Sequence, residues 1–291
     1  MSISKKQNVS LHHAKVLFQK ILKSGSSHVI LIIAAVIIGL PFFWMISTAL
    51  KSSTEVYQFP PVWLPETLHW ENFITAWQSA PFGRFYINSI ITTVVGVTLE
   101  VFIATLTAYA FARIEFPHRD ALFVVVLAAM MIPGQLALIP NYVTLHHLGW
   151  INTLQGIIVP HISSVFGAFL LRQAFLSLSS EIFDAAKIDG ASHLRSLFSV
   201  AIPIVRPVIA TLILYLFIAK WNAYLWPLIV TNSQDMRTLP VGLVMVRNAE
   251  YQIGPEHLMA ASLFVLLPVL IVFFIAQKQL IEGLAAGAVK Q

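Results

Sequence analysis

Residues 29–50 form a run of 22 positions without one charged side chain. About 20 apolar residues in a helix cross the hydrocarbon core of a bilayer, and few soluble folds can bury so long a run. Five further runs follow, at 87–111 (interrupted by Glu100), 121–139, 151–171, 204–230 (with Arg206 near its start and Lys220 inside) and 258–276. We therefore expect an all-α, polytopic membrane protein with six transmembrane helices. Composition agrees, with 57% of residues hydrophobic and 11% charged, against roughly 25% charged in an ordinary soluble domain. Such a chain cannot cover a globular surface with polar groups, and it is far too apolar to be disordered. A soluble enzyme and a disordered chain are both excluded.

Lys5, Lys6, Lys15, Lys20 and Lys23 precede the first run, with no acid among them. That pattern resembles a signal peptide, but the run is too long and no small-residue cleavage site follows, so we expect an uncleaved first span. Leu11, Ala14, Leu17, Phe18, Ile21 and Leu22 recur at helical spacing and predict a basic amphipathic helix on the membrane surface. The expected organisation is a cytoplasmic basic segment at 1–28, a six-helix membrane domain at 29–276 and a cytoplasmic tail at 277–291. Lys and Arg are asymmetric across the runs. One side receives 13, including Arg113, Arg119, Arg172, Lys187 and Arg195, and the other receives Lys51, Arg84, Arg237 and Arg247. The positive-inside rule then puts both termini in the cytoplasm. The same asymmetry accounts for the pI of about 9.5 without nucleic acid as a partner.

Cysteine is absent, which excludes disulfides, thiolate metal sites and a cysteine nucleophile. The histidine pairs His12-His13 and His146-His147 are adjacent and cannot share a helical face. No H-E-x-x-H run exists, so we expect loop histidines and no metal site. No phosphate-binding G-x-x-x-x-G-K-[ST] run exists either, so if transport is ATP-driven the ATPase is another protein. Pro41, Pro133, Pro227 and Pro268 lie in or at the ends of the runs, and they either kink these helices or are simply tolerated there.

The longest expected cytoplasmic stretch between runs is 172–207. Its centre reads Ser180-Glu181-Ile182-Phe183-Asp184-Ala185-Ala186-Lys187-Ile188-Asp189-Gly190-Ala191-Ser192. Ser180 is expected to cap a short helix with Glu181 in its first turn, Gly190 to end it at positive φ, and Ser192 to cap the next. Ala185, Ala186 and Ala191 leave one surface small enough for a partner to approach closely. By residues alone the segment fits an ordinary interhelical connection equally well.

Asp184-Ala185-Ala186-Lys187-Ile188-Asp189-Gly190-Ala191 followed by Ile202-Pro203 resembles the "EAA" loop of ABC-importer permeases. The likeness is greatest to the carbohydrate-uptake, MalG-like branch of binding-protein-dependent inner-membrane components, and covers most of the chain from about residue 55. Supporting matches are Glu71-Asn72-Phe73 with Trp77, Ala108-Tyr109-Ala110-Phe111-Ala112-Arg113, Trp221-Asn222 with Leu225-Trp226-Pro227-Leu228, Thr238-Leu239-Pro240-Val241-Gly242 and Gly287-Ala288-Val289-Lys290. Asp184 stands where the family usually has Glu, and the carboxylate is kept. The resemblance implies the ABC type I importer permease fold in a bacterial or archaeal cytoplasmic membrane. It implies a heterodimer with a homologous second permease, two ABC ATPase subunits and an extracytoplasmic solute-binding protein. It implies no catalysis and no cofactor on this chain, ATP and Mg being held by the ATPases. Asp184, Ala185, Ala186, Asp189, Gly190 and Ala191 would dock an ATPase, with Gly287 and Lys290 as second candidates, and loop 231–257 would touch the binding protein. The expected cargo is a sugar or oligosaccharide, with glycerol-3-phosphate or related polyol phosphates as the alternative.

Glu100 and Lys220 are intramembrane charges, which are costly and usually face a bundle interior or wet cavity. They fit an ion pair bordering a solute path, a purely structural pair, or two residues that meet water separately. Trp221, Asn222 and Tyr224 join them as candidates for the path, since aromatic faces and an amide suit sugar rings. Trp226 is assigned rather to an interfacial aromatic belt. A different class, an ion-coupled secondary transporter, would use Glu100 and Lys220 as its relay. A membrane-embedded enzyme would need clustered His, Asp or Glu at one depth, a pattern that the sequence lacks.

Overall fold

A computed structural model describes residues 28–247 and 253–288, with the side chains of 278–288 outside the description. The expected amphipathic segment at 1–28 falls, but for its last residue, outside the described residues. Apolar content drives the long helices. Among the described residues, four are long and apolar enough to cross a membrane unbroken: α1 (His28–Ala49), α4 (Phe82–Arg113), the helix His193–Trp221 and the membrane part of α14 (Pro255–Ala288). Within His193–Trp221, α10 (His193–Ser196) and α11 (Ile202–Trp221) are joined by a π turn at Leu197–Ala201. Two bent helix pairs pass the same test together, Arg119–Met131 with Gly134–His147 (85°) and Leu154–His161 with Val165–Leu176 (46°). The count is six when each pair is one span.

The third and fourth runs are thus bent, the third at Pro133, one of the prolines expected either to kink a helix or to be tolerated. The first bend follows from Pro133, which lacks an N–H and forces Ile132 into extended backbone (ψ 117°). It separates α5 (Arg119–Ala128) and its 3₁₀ end from α6 (Leu138–His147). In the second pair, α7 (Leu154–Ile158) tightens into a 3₁₀ turn containing Pro160. Ser164 then restarts the chain as N-cap of α8 (Val165–Leu176), accepting from Gly167 N at 3.0 Å. The fifth expected run also divides. α11 stops at Trp221, and α12 (Leu225–Val230) begins so that Pro227 falls in its first turn, where no N–H is required. Pro207 and Pro268 lie within helices without ending them. The α14 backbone runs through the expected tail boundary at 277 to Ala288.

The chain divides into two compact units. One comprises, among the described residues, 28–73 and 254–260. After α1, Ser52 and Glu55 form a capping box on α2 (Ser53–Val56). Buried Lys51 donates to the Val62 carbonyl at 2.6 Å and lies 4.2 Å over the Trp44 ring. Asn72, at the start of α3 (Glu71–Gln78), donates to the Ala49 and Lys51 carbonyls. Glu55 accepts from the backbone N–H of Glu66 and Ser52 and from the Ser52 hydroxyl, and these bonds hold its carboxyl below the ordinary range.

The other unit, residues 74–247, 253 and 261–288 among those described, contains the larger core. Ala104, Ala108 and Ala112 of α4 repeat at i+4, and Leu171 and Phe175 of α8 pack with them. A methyl on Gly167 would lie 3.2 Å from Cβ of Ala104, so small residues set the close approach of these two helices. Leu197, Ala201, Val205, Leu212 and Leu216 complete this core. α13 (Leu239–Arg247) packs on the first turns of α4, with Gly242 against the Phe85 ring.

Candidate functional site

Glu100 lies mid-way along α4 and Lys220 one residue before the end of α11. Lys220 Nζ sits 2.6 Å from Glu100 Oε2, and both side chains are largely buried. The ammonium also donates to the His161 carbonyl at 2.8 Å. That carbonyl lies at the break between the two helices of the fourth crossing, where the helix no longer supplies it with an N–H. Gly96, one turn before Glu100, makes room for the lysine stem, since a methyl there would lie 3.0 Å from Lys220 Cδ. Breaking such a buried pair by removing one partner costs about 3–5 kcal/mol.

The pair borders a cavity of about 490 Å³. Its wall includes Ser163, Phe166, Tyr215, Tyr224 and Trp226. Trp226 is buried, donates Nε1–H to the Gly156 carbonyl at 3.1 Å and meets the His161 ring edge-on. Phe166 and Tyr215 lie with centroids 4.9 Å apart. So Glu100, Lys220 and Tyr224 come together, as do residues not expected there, His161 and Trp226 above all. Trp221 and Asn222 do not line the cavity. Trp221 stacks on Phe217 and donates to the Val265 carbonyl at 3.0 Å, because one residue of helix turns it away from Lys220. Asn222 caps α11, its N–H and side-chain amide both reaching the Ile218 carbonyl. Trp226 belongs to the wall rather than to an interfacial belt. The signal that could have found it is the Asn222–Pro227 interval, which ends one helix and starts another.

The segment that resembles the EAA loop consists of α9 (Ser180–Ile188), a corner, and α10. Ser179, one residue earlier than expected, caps α9. Gly190 has φ +77°, and Gly190 N and Ala191 N return to the Lys187 and Ala186 carbonyls, closing the C-terminus. Ser192 caps α10 by accepting from Arg195 N. Phe183 anchors α9, with the Arg113 guanidinium 4.1 Å over its ring. Arg113, the last residue of α4, also donates to the Leu178 carbonyl at 2.7 Å. Asp184, Ala185, Asp189 and Gly190 are exposed, and Ala186 and Ala191 half-buried. Ile188 is 86% exposed and Leu194 62%, so an apolar surface faces outward beside the corner. Asp184 and Lys187 also edge a polar recess floored by Arg113. Gly287 lies on the α14 backbone, and Lys290 falls outside the described residues.

Several apolar crossings, a buried ion pair beside a cavity, and a cornered helix pair on the helix that carries that ion pair define a multi-pass membrane permease. Residues 100–285 match the family model described as binding-protein-dependent transport system inner membrane component, and the chain belongs to that family. It is 32% identical over 264 residues to the diacetylchitobiose uptake system permease protein NgcG of Streptomyces coelicolor, covering 90% of this chain and 87% of that one. It is 29% identical to the sn-glycerol-3-phosphate transport system permease protein UgpE of Yersinia enterocolitica, covering 88% and 94%. A solved structure of a bacterial ABC transporter involved in import of the acidic polysaccharide alginate superposes with a TM-score of 0.77 at 25% identity, over 89% of this chain and 97% of that one.

Proposed function

We propose that the chain is a non-catalytic transmembrane subunit of an ATP-driven importer for sugars or oligosaccharides. It pairs with a homologous permease, receives solute from an extracytoplasmic binding protein, and is driven by two partner ATPases that hold ATP and Mg. The observation that carries this reading is the construction of α4. Its end, Arg113, clamps the α9 segment, and its middle, Glu100, forms the wall of the cavity. A push on α9 therefore reaches the cavity through one continuous helix. An ATPase docks on the exposed side of the corner, at Asp184, Ala185, Asp189 and Gly190, with Ile188 and Leu194 as apolar contacts. ATP-driven closure moves this segment, and the crossings rock between inward-open and outward-open states. Both termini are cytoplasmic in this reading.

The test is co-purification from detergent-solubilised membranes, followed by reconstitution in liposomes. A second permease and an ATPase are expected with this chain, and uptake of a saccharide should require ATP. Asp184→Lys and Gly190→Pro should each release the ATPase while leaving the second permease bound. Uptake by this chain alone without ATP would overturn the reading.

A further inference from the structure

Two kinds of cargo occur among the proteins that this chain resembles. Diacetylchitobiose carries no charge, whereas glycerol-3-phosphate and alginate are anions. The cavity distinguishes between them. Among the described residues that line it, Glu100 and Lys220 are the only Asp, Glu, Lys or Arg side chains, and they are bonded to each other at 2.6 Å. Lys220 directs another proton to the His161 carbonyl. A phosphate or carboxylate recognised in a water-poor site needs charge-assisted donors that are not already engaged. Here it would meet an ammonium with its charge balanced, and the Glu100 carboxylate beside it. Its lost hydration would go uncompensated. An uncharged saccharide has no such need. The Trp226, Tyr215 and Phe166 rings offer apolar faces to its C–H groups, and the Ser163 and Tyr224 hydroxyls match its own.

We propose that Glu100 is a selectivity residue: by neutralising Lys220 it sets this chain's share of the path for uncharged saccharides and against solutes bearing phosphate or carboxylate. The inference rests on the importer reading and deepens it. Gly96 belongs to the same device, because a methyl there would press on the lysine stem at 3.0 Å from Cδ. Removing the carboxylate alone would leave a free cation in the wall and reverse the preference.

The chain has no cysteine, so Ser163→Cys places its one thiol in the cavity wall. In the full solubilised assembly, the rate of modification of this chain is followed by mass spectrometry with an anionic and a cationic methanethiosulfonate. With Glu100 present, the ratio of the two rates should be close to that for a small free thiol in the same buffer. Glu100→Gln should raise the ratio in favour of the anionic reagent by roughly tenfold, the order expected of one unbalanced charge bordering the same cavity at intermediate dielectric. Glu100→Gln with Lys220→Gln should return it to the starting value. Lys220→Gln alone should shift it toward the cationic reagent, which keeps the test decisive if Glu100→Gln does not assemble. Maltotriose should slow the modification, and sn-glycerol-3-phosphate at equal concentration should not. The proposal is overturned by an anionic preference with Glu100 in place, by a ratio indifferent to Glu100→Gln, or by protection from glycerol phosphate alone. None of these outcomes touches ATP dependence or the co-purifying ATPase, so a failure here is separable from failure of the importer reading.

Discussion

At the scale of single residues, Glu55 shows how a carboxylate outside the membrane helices can organise a turn. Two backbone N–H groups and a hydroxyl converge on it, and all three bonds favour the ionised form. The Glu66 N–H is the largest cause of its lowered pKa, so this stabilisation is complete above the carboxyl's unfolded-state pKa. It is lost as pH falls through the lowered folded-state value. Thermal melts of the purified assembly should thus fall more steeply on acidification for the native chain than for Glu55→Gln, and equal slopes would show that these bonds do not persist in solution. The charges inside the membrane were legible for a different reason. Glu100 and Lys220 are conspicuous because any charge in an apolar run is costly, but only folding shows that they meet. His161 gave no such signal, since its contribution to the pair is a carbonyl that every residue possesses.

At the scale of elements, the long helices were written in hydropathy and their breaks were not. Hydropathy is blind to direction, so the 85° turn at Pro133 and the 46° turn before Ser164 are invisible to it. Proline alone does not decide the matter, because Pro207 and Pro268 sit inside unbroken helices. Local signals did better where one residue controls one backbone group: Gly190 and Ser192 end and restart helices as expected, and the cap of α9 moved by a single position. Packing between elements depends on small residues in the same way. A methyl on Gly242 would lie 2.2 Å from the Phe85 ring, and that ring cannot retreat because Phe82 lies edge-on against it. Gly242→Ala should destabilise this unit by about 1–3 kcal/mol through overpacking. A drop in melting temperature of the assembly checks this, and an unchanged value would mean that α13 shifts freely on α4.

At the scale of the whole molecule, orientation follows from where Lys and Arg gather rather than from any contact. Because the chain lacks cysteine, single thiols report sidedness cleanly. Gln58→Cys should react with an impermeant maleimide in intact cells, and Pro117→Cys only after permeabilisation. The reverse pattern would invert the assigned topology. The division of labour between legible and illegible parts is also global. Which face of a helix meets a cavity depends on where that helix ends, and Trp221 and Trp226 exchanged roles because α11 ends between them.

The lysine that reaches three crossings has a consequence for how the protein is made. A broken helix leaves a carbonyl without its usual donor. The Lys220 amine closes that gap at His161 while it also holds Glu100. Until α11 has been synthesised and seated, the fourth crossing stays unsealed and the second carries a bare carboxylate. Lys220→Gln should therefore lower the amount of this chain that accumulates in membranes before any solute is moved, and an immunoblot showing unchanged levels would rule this out.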